Sequence, residues 1–167
     1  MDEDKLNRLP PDVKKQFLKL ALKLSEKKQK TKVHDDFLSF VKHVWPEFIE
    51  GKHHKEIADK FNDIANNKIK RLIINMPPRH TKSEFASFLL PAWMVGRKPD
   101  LKIIQSTHTT ELAIRFGRKA KNLMDSQEYK QVFKTRLRED SQAAGKWETE
   151  QGGEYYAAGV GSAITGR

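Results

Sequence analysis

Between the run Arg71-Leu72-Ile73-Ile74-Asn75-Met76 and the apolar stretch opening at Phe85 stands Pro77-Pro78-Arg79-His80-Thr81-Lys82-Ser83-Glu84. A lysine followed by a hydroxyl residue, after a strand and at the head of a helix, suits a nucleoside triphosphate. Backbone N–H groups at a helix N-terminus point at the phosphates, the lysine neutralises the β/γ charge, and the hydroxyl holds Mg²⁺. Lys82 and Ser83 are the candidates for the last two roles, and Pro78, Arg79, His80 and Thr81 complete the loop. The common pattern G-x-x-x-x-G-K-[ST] has Met76 and Thr81 at its glycine positions here. If the loop needs positive φ at position 81, a β-branched threonine is strained there by about 1 to 2 kcal/mol. The alternative is a polar turn that merely links strand to helix, with Lys82 solvated.

Such a loop has to be held by a strand behind it and a helix ahead. Residues 71 to 76 read as a short, fully buried strand of the kind found inside a parallel sheet covered on both faces. Residues 102 to 106 read as a second, and Lys146 to Tyr156, split by Gln151-Gly152-Gly153, as a hairpin appended to the sheet. The expected fold is α/β, a mainly parallel sheet sandwiched by helices. Asp35 can cap a helix carrying Phe37, Phe40, Val41 and Val44 that ends at Trp45-Pro46. A further helix fits His53 to about Ala65, with Asn66-Asn67 breaking it. Trp45, Phe61, Trp93 and Phe116 sit at apolar helical positions and read as core. Residues 1 to 33 form a basic appendage: Pro10-Pro11-Asp12 starts an amphipathic helix, and Lys27-Lys28-Gln29-Lys30-Thr31-Lys32 reads as a charged linker to a body spanning 34 to 167.

The chain has 167 residues, room for one domain, and a formal charge of +10, which favours a polyanionic partner. The absence of cysteine excludes a disulfide framework and thiolate zinc sites. His53-His54-Lys55-Glu56 lacks the spacing of a histidine zinc motif. No run approaches the roughly 20 apolar residues of a membrane span, and Met1-Asp2-Glu3-Asp4 is unlike a secretory signal, so a soluble cytoplasmic protein is expected. Arg115, Arg118, Lys119 and Lys121 crowd one helix that either grips DNA phosphates or is a solvated face.

Ile73 to Ser83 is similar to the variant Walker A loop of viral large terminase subunits, the DNA-packaging ATPases of tailed bacteriophages, which commonly reads P-P-R-H-G-K-S; Thr81 departs from it. The resemblance continues through Ile103-Ile104-Gln105-Ser106-Thr107-His108, Leu112-Ala113, Phe116, Tyr129 and Phe133. It closes with Lys146-Trp147-Glu148-Thr149, Gly152-Gly153, Tyr155, Ala158-Gly159-Val160-Gly161 and Ile164-Thr165-Gly166-Arg167. It covers the chain from about Asp35 onward. It implies a P-loop NTPase-like fold that binds ATP with Mg²⁺, with Arg79 sensing the γ-phosphate and Arg167 acting across a subunit boundary. His54 is then an adenine contact, or else a satisfied structural histidine. The implied partners are double-stranded viral DNA, a portal protein, a small terminase subunit and further copies in a homo-oligomeric ring, in the host cytoplasm and with no membrane. In that family the Walker B strand follows the Thr-Gly-Arg segment and a nuclease domain follows later. A sequence ending at Arg167 is therefore expected to bind Mg-ATP without hydrolysing it. Two other classes remain open: part of another nucleic-acid motor such as a helicase, and a non-enzymatic basic module that binds DNA or protein.

Overall fold

A computed structural model of the chain describes residues 10 to 161; Arg167 lies outside them. Helix α1 spans Pro11–Asp35, with proline in its first turn, where no intrahelical N–H is needed. It passes unbroken through Lys27 to Lys32, so the expected linker is instead helix. Lysine and glutamine are good helix formers, and the run contains no glycine or proline to end it. Asp36, not Asp35, caps α2 (Phe37–Val44): its Oδ2 accepts the Ser39 N–H at 2.8 Å, while Asp35 is the last residue of α1 and pairs with His34. The Asp36 Oδ1 also accepts from Asn62 Nδ2 at 2.9 Å, and the Asn62 Oδ1 accepts the Phe37 N–H at 2.9 Å. This ring of bonds clips α2 to α3 (Lys52–Ala65), which stops at Asn66 before Asn67 turns through φ 58°.

Residues 71 to 76 are extended but have no ladder partner among the described residues. Leu72, Ile74 and Met76 turn toward the core, while Ile73 is 85% exposed. The fully buried parallel strand expected here is thus an unpaired segment. Apolar composition favours burial but does not supply a neighbouring strand.

The next helical run, α4, begins as Lys82–Glu84, passes through a π-helical turn at Phe85–Leu89 and continues as Leu90–Arg97. Strand β1 (Lys102–Thr107) leads to helices α5 (Thr110–Asp125) and α6 (Gln127–Val132). Strands β2 (Leu137–Ala143), β3 (Lys146–Thr149) and β4 (Glu154–Gly159) follow. Their order is β1-β4-β3-β2; β1 and β4 pair in parallel, and the other two pairings are antiparallel. The fold is α/β, but its sheet is mixed and mostly antiparallel rather than mainly parallel. The reason lies in the hairpin: β3 and β4 do not hang from the sheet but form its middle.

One continuous apolar core holds these layers together. Phe37 meets Phe61, Phe85 and Trp93 edge-on at ring separations of 5.1, 5.4 and 5.4 Å, joining α2, α3 and α4. Under α5, Trp147 and Tyr155 stack at 4.7 Å, and the Trp147 indole N–H donates to the Gly117 carbonyl at 3.3 Å. Phe61, Trp93 and Phe116 are buried as expected, whereas Trp45 is half-buried at the end of α2. No helix among the described residues is long and apolar enough to cross a membrane.

Candidate functional site

The loop between residues 77 and 81 turns sharply before α4. Arg79 and Thr81 both adopt left-handed backbone, at φ 66° and 57°. This conformation is uncommon for any residue with a side chain and adverse for a β-branched one. The threonine strain conditional on such a turn is therefore present. Left-handed residues interleaved in a loop rotate successive N–H groups to one side and make anion-binding concavities. Lys82 and Ser83 follow directly as the first residues of α4, whose opening N–H groups have no carbonyl one turn earlier to bond.

Phe85 anchors this helix start. It is fully buried between Phe37, Phe48 and His54, the last two at 5.5 and 5.2 Å. Glu84 accepts from Lys119 Nζ through both carboxylate oxygens at 2.9 Å, tying the first turn to α5, and Lys119 also sits over the Phe88 ring. With Glu84 so engaged, no carboxylate forms an ion pair with Arg79 or Lys82 among the described residues. Arg79 and His80 are exposed, Lys82 is half-buried, and Ser83 is exposed beside it. The Pro78 carbonyl accepts the His80 Nδ1–H at 2.9 Å, which holds the crest of the turn.

His54 lies beneath the loop rather than beside an open pocket. It is 6% exposed, its Nδ1 accepts the Gly51 N–H at 2.8 Å, and its Nε2 lies 2.6 Å from the Thr81 hydroxyl. That hydroxyl donates its own proton to the His80 carbonyl at 2.7 Å. Proton counting leaves one arrangement: a neutral ring carrying hydrogen on Nε2, which donates to Thr81 Oγ1. Burial, and then the neighbouring His53 and His80, push the His54 pKa below its ordinary value, with Glu50 opposing them. Both ring nitrogens are thus occupied by the protein. This is the bonding expected of a satisfied structural histidine.

Pro78, Arg79, His80, Thr81, Lys82, Ser83 and His54 therefore gather in one place. Sequence reasoning missed the supports: Gly51, Phe48 and Phe85. A readable signal did exist for Gly51. The Gly51 N–H donating to the side chain of His54, the third residue of α3, is one half of a capping box, whose other half glycine has no side chain to supply. The basic cluster of α5 divides. Lys119 turns to Glu84, while Arg115 and Arg118 are exposed without an ion-pair partner among the described residues. Comparison of the chain with protein-family models, with curated proteins and with solved structures finds no match in any of the three.

Proposed function

We propose that this chain is the nucleotide-binding part of a DNA-packaging ATPase of the large-terminase kind, taking ATP with Mg²⁺ at residues 78 to 83. The observation that carries the reading is the left-handed turn at Thr81 leading straight into Lys82, which has no ion-pair partner among the described residues, and an exposed Ser83 at the head of α4. In this reading Lys82 meets the β/γ-phosphates, Ser83 offers its hydroxyl to Mg²⁺, and Arg79 senses the γ-phosphate. Residues 71 to 76 are then the strand that precedes a P-loop, although they lack a ladder partner among the described residues. Mg²⁺ supplies charge neutralisation along the triphosphate when it is bound. Lysine, serine hydroxyl and backbone N–H groups are a chemically suitable set for it and its nucleotide. The assembled motor would move double-stranded viral DNA through a portal into a capsid in the host cytoplasm, as a ring working with a small subunit.

Calorimetric titration of Mg-ATP into the chain and into Lys82→Ala tests the nucleotide site. Micromolar to millimolar binding that weakens at least about tenfold in the variant is expected, a loss of roughly 1.4 kcal/mol. No binding by a folded sample rejects the site. Nucleotide-independent, salt-sensitive DNA binding that depends on Arg115 and Arg118 would then favour the basic-module reading.

A further inference from the structure

The nucleotide reading accounts for Lys82 and Ser83 but not for a β-branched threonine at a loop position whose left-handed backbone disfavours it. Nor does it account for a buried histidine whose hydrogen bonds end there. Thr81 sits at φ 57°, ψ 5°, and among the described residues its side chain hydrogen-bonds His54 and the His80 carbonyl. His54 is itself held from the other side by Gly51 and packed edge-on against Phe48 at 4.8 Å, so its ring cannot swing away without disturbing the core. An unbroken series of hydrogen bonds runs from the Gly51 N–H through the His54 ring and the Thr81 hydroxyl to the accepting His80 carbonyl. It spans from the head of α3 to the peptide that precedes the left-handed residue.

We infer that His54 is a positioning residue for phosphate binding, acting through the Thr81 hydroxyl to hold a non-glycine loop in the left-handed turn that aims its N–H groups. This rests on the reading of residues 78 to 83 as a phosphate site. The histidine does for Thr81 what a glycine at that position would do unaided, since glycine adopts positive φ at no steric cost. His54 and Thr81 are therefore a coupled pair. Removing the ring should harm anion binding only while residue 81 carries a side chain.

The experiment is a double-mutant cycle on Mg-ATP affinity with His54→Leu, Thr81→Gly and the double variant, beside wild type and Lys82→Ala. The left-handed preference at stake corresponds to about five- to thirtyfold in an equilibrium constant. His54→Leu should therefore weaken binding by about that factor with threonine present and by less than about twofold with glycine present. Thr81→Gly alone should bind at least as tightly as wild type. Because leucine could disturb the packing around Phe48 and Phe85, His54→Gln is measured in parallel. Its amide N–H can still reach the Thr81 hydroxyl, so it should recover part of the lost affinity, which a purely packing role would not predict. Lys82-dependent binding with equal losses from His54→Leu in both backgrounds overturns the inference and leaves the phosphate site standing. Absence of binding by folded wild type and folded Thr81→Gly alike overturns both.

Discussion

At the scale of single residues, His54 shows how a group can be committed by its neighbours before any ligand arrives. Its Nδ1 already accepts the Gly51 N–H, so an added proton there would face another donor. Burial acts in the same direction, with His53 and His80 adding to it and Glu50 resisting. The folded-state pKa lies below the ordinary 6.5, so the unfolded chain binds the proton more readily. The stability that the neutral ring contributes is fully present above pH 6.5 and is lost as pH falls through the folded-state pKa. Chemical denaturation at pH 7.5 and at pH 5.5 should accordingly show lower stability at the acid end. That slope should be shallower in His54→Gln, which has no titratable ring; an unchanged slope would assign it to other groups.

Asp36 sets the junction of elements. It ends α1, caps α2 and holds Asn62 of α3 with one carboxylate. Burial by itself raises its pKa, yet the hydrogen bonds from Ser39 and Asn62, aided by Lys32, outweigh that and hold the carboxyl below its ordinary 3.8. Its contribution is therefore complete above about pH 4 and fades as the medium becomes more acidic. Asp36→Ala removes a cap and leaves the Asn62 amide short of an acceptor. A loss of about 1 to 2 kcal/mol in urea unfolding at pH 7 is expected. Asp35→Ala, by contrast, removes an exposed contact with His34 and should change stability by less than about 0.5 kcal/mol. Equal effects from the two would contradict the cap assignment.

For the molecule as a whole, the decisive contact is the one between α5 and the hairpin strands. Gly117 lies where a Cβ would come within 2.5 Å of the Ala144 carbonyl oxygen and 2.7 Å of the Tyr155 ring, and its own carbonyl receives the Trp147 indole. Alanine is the better helix former by about 1 kcal/mol, but here it would push α5 off the sheet, and overpacking of this kind costs about 1 to 3 kcal/mol. Gly117→Ala should therefore lower the thermal midpoint. A rise would show that the close approach of helix and sheet is looser than these distances state. Because α5 also carries Lys119, which grips Glu84 in the first turn of α4, the sheet and the loop at residues 77 to 81 are joined through one helix.

The parts of this protein that could be read from the chain are those governed by neighbours in sequence. The 3.6-residue periodicity around Phe37, Phe40 and Val41 and the Asn66-Asn67 stop act within a few residues, and so does the threonine at a loop position wanting left-handed backbone. Each emerges in the structure essentially where expected. The grouping of Lys82 and Ser83 at a helix head was legible for the same reason. Three features were not. Lys27 to Lys32 continues a helix because polarity alone does not end one. Residues 71 to 76 stand unpaired because an apolar run states a wish for burial and not the identity of its partner. The sheet is mostly antiparallel because β4 lies beside β1 across about fifty residues of chain, as Lys102 opposite Glu154 shows. Likewise His54 and Thr81 are 27 positions apart. Nothing local tells how the ring of such a histidine will be used; packing around Phe48 and Phe85 brings it under Thr81 and engages both of its nitrogens.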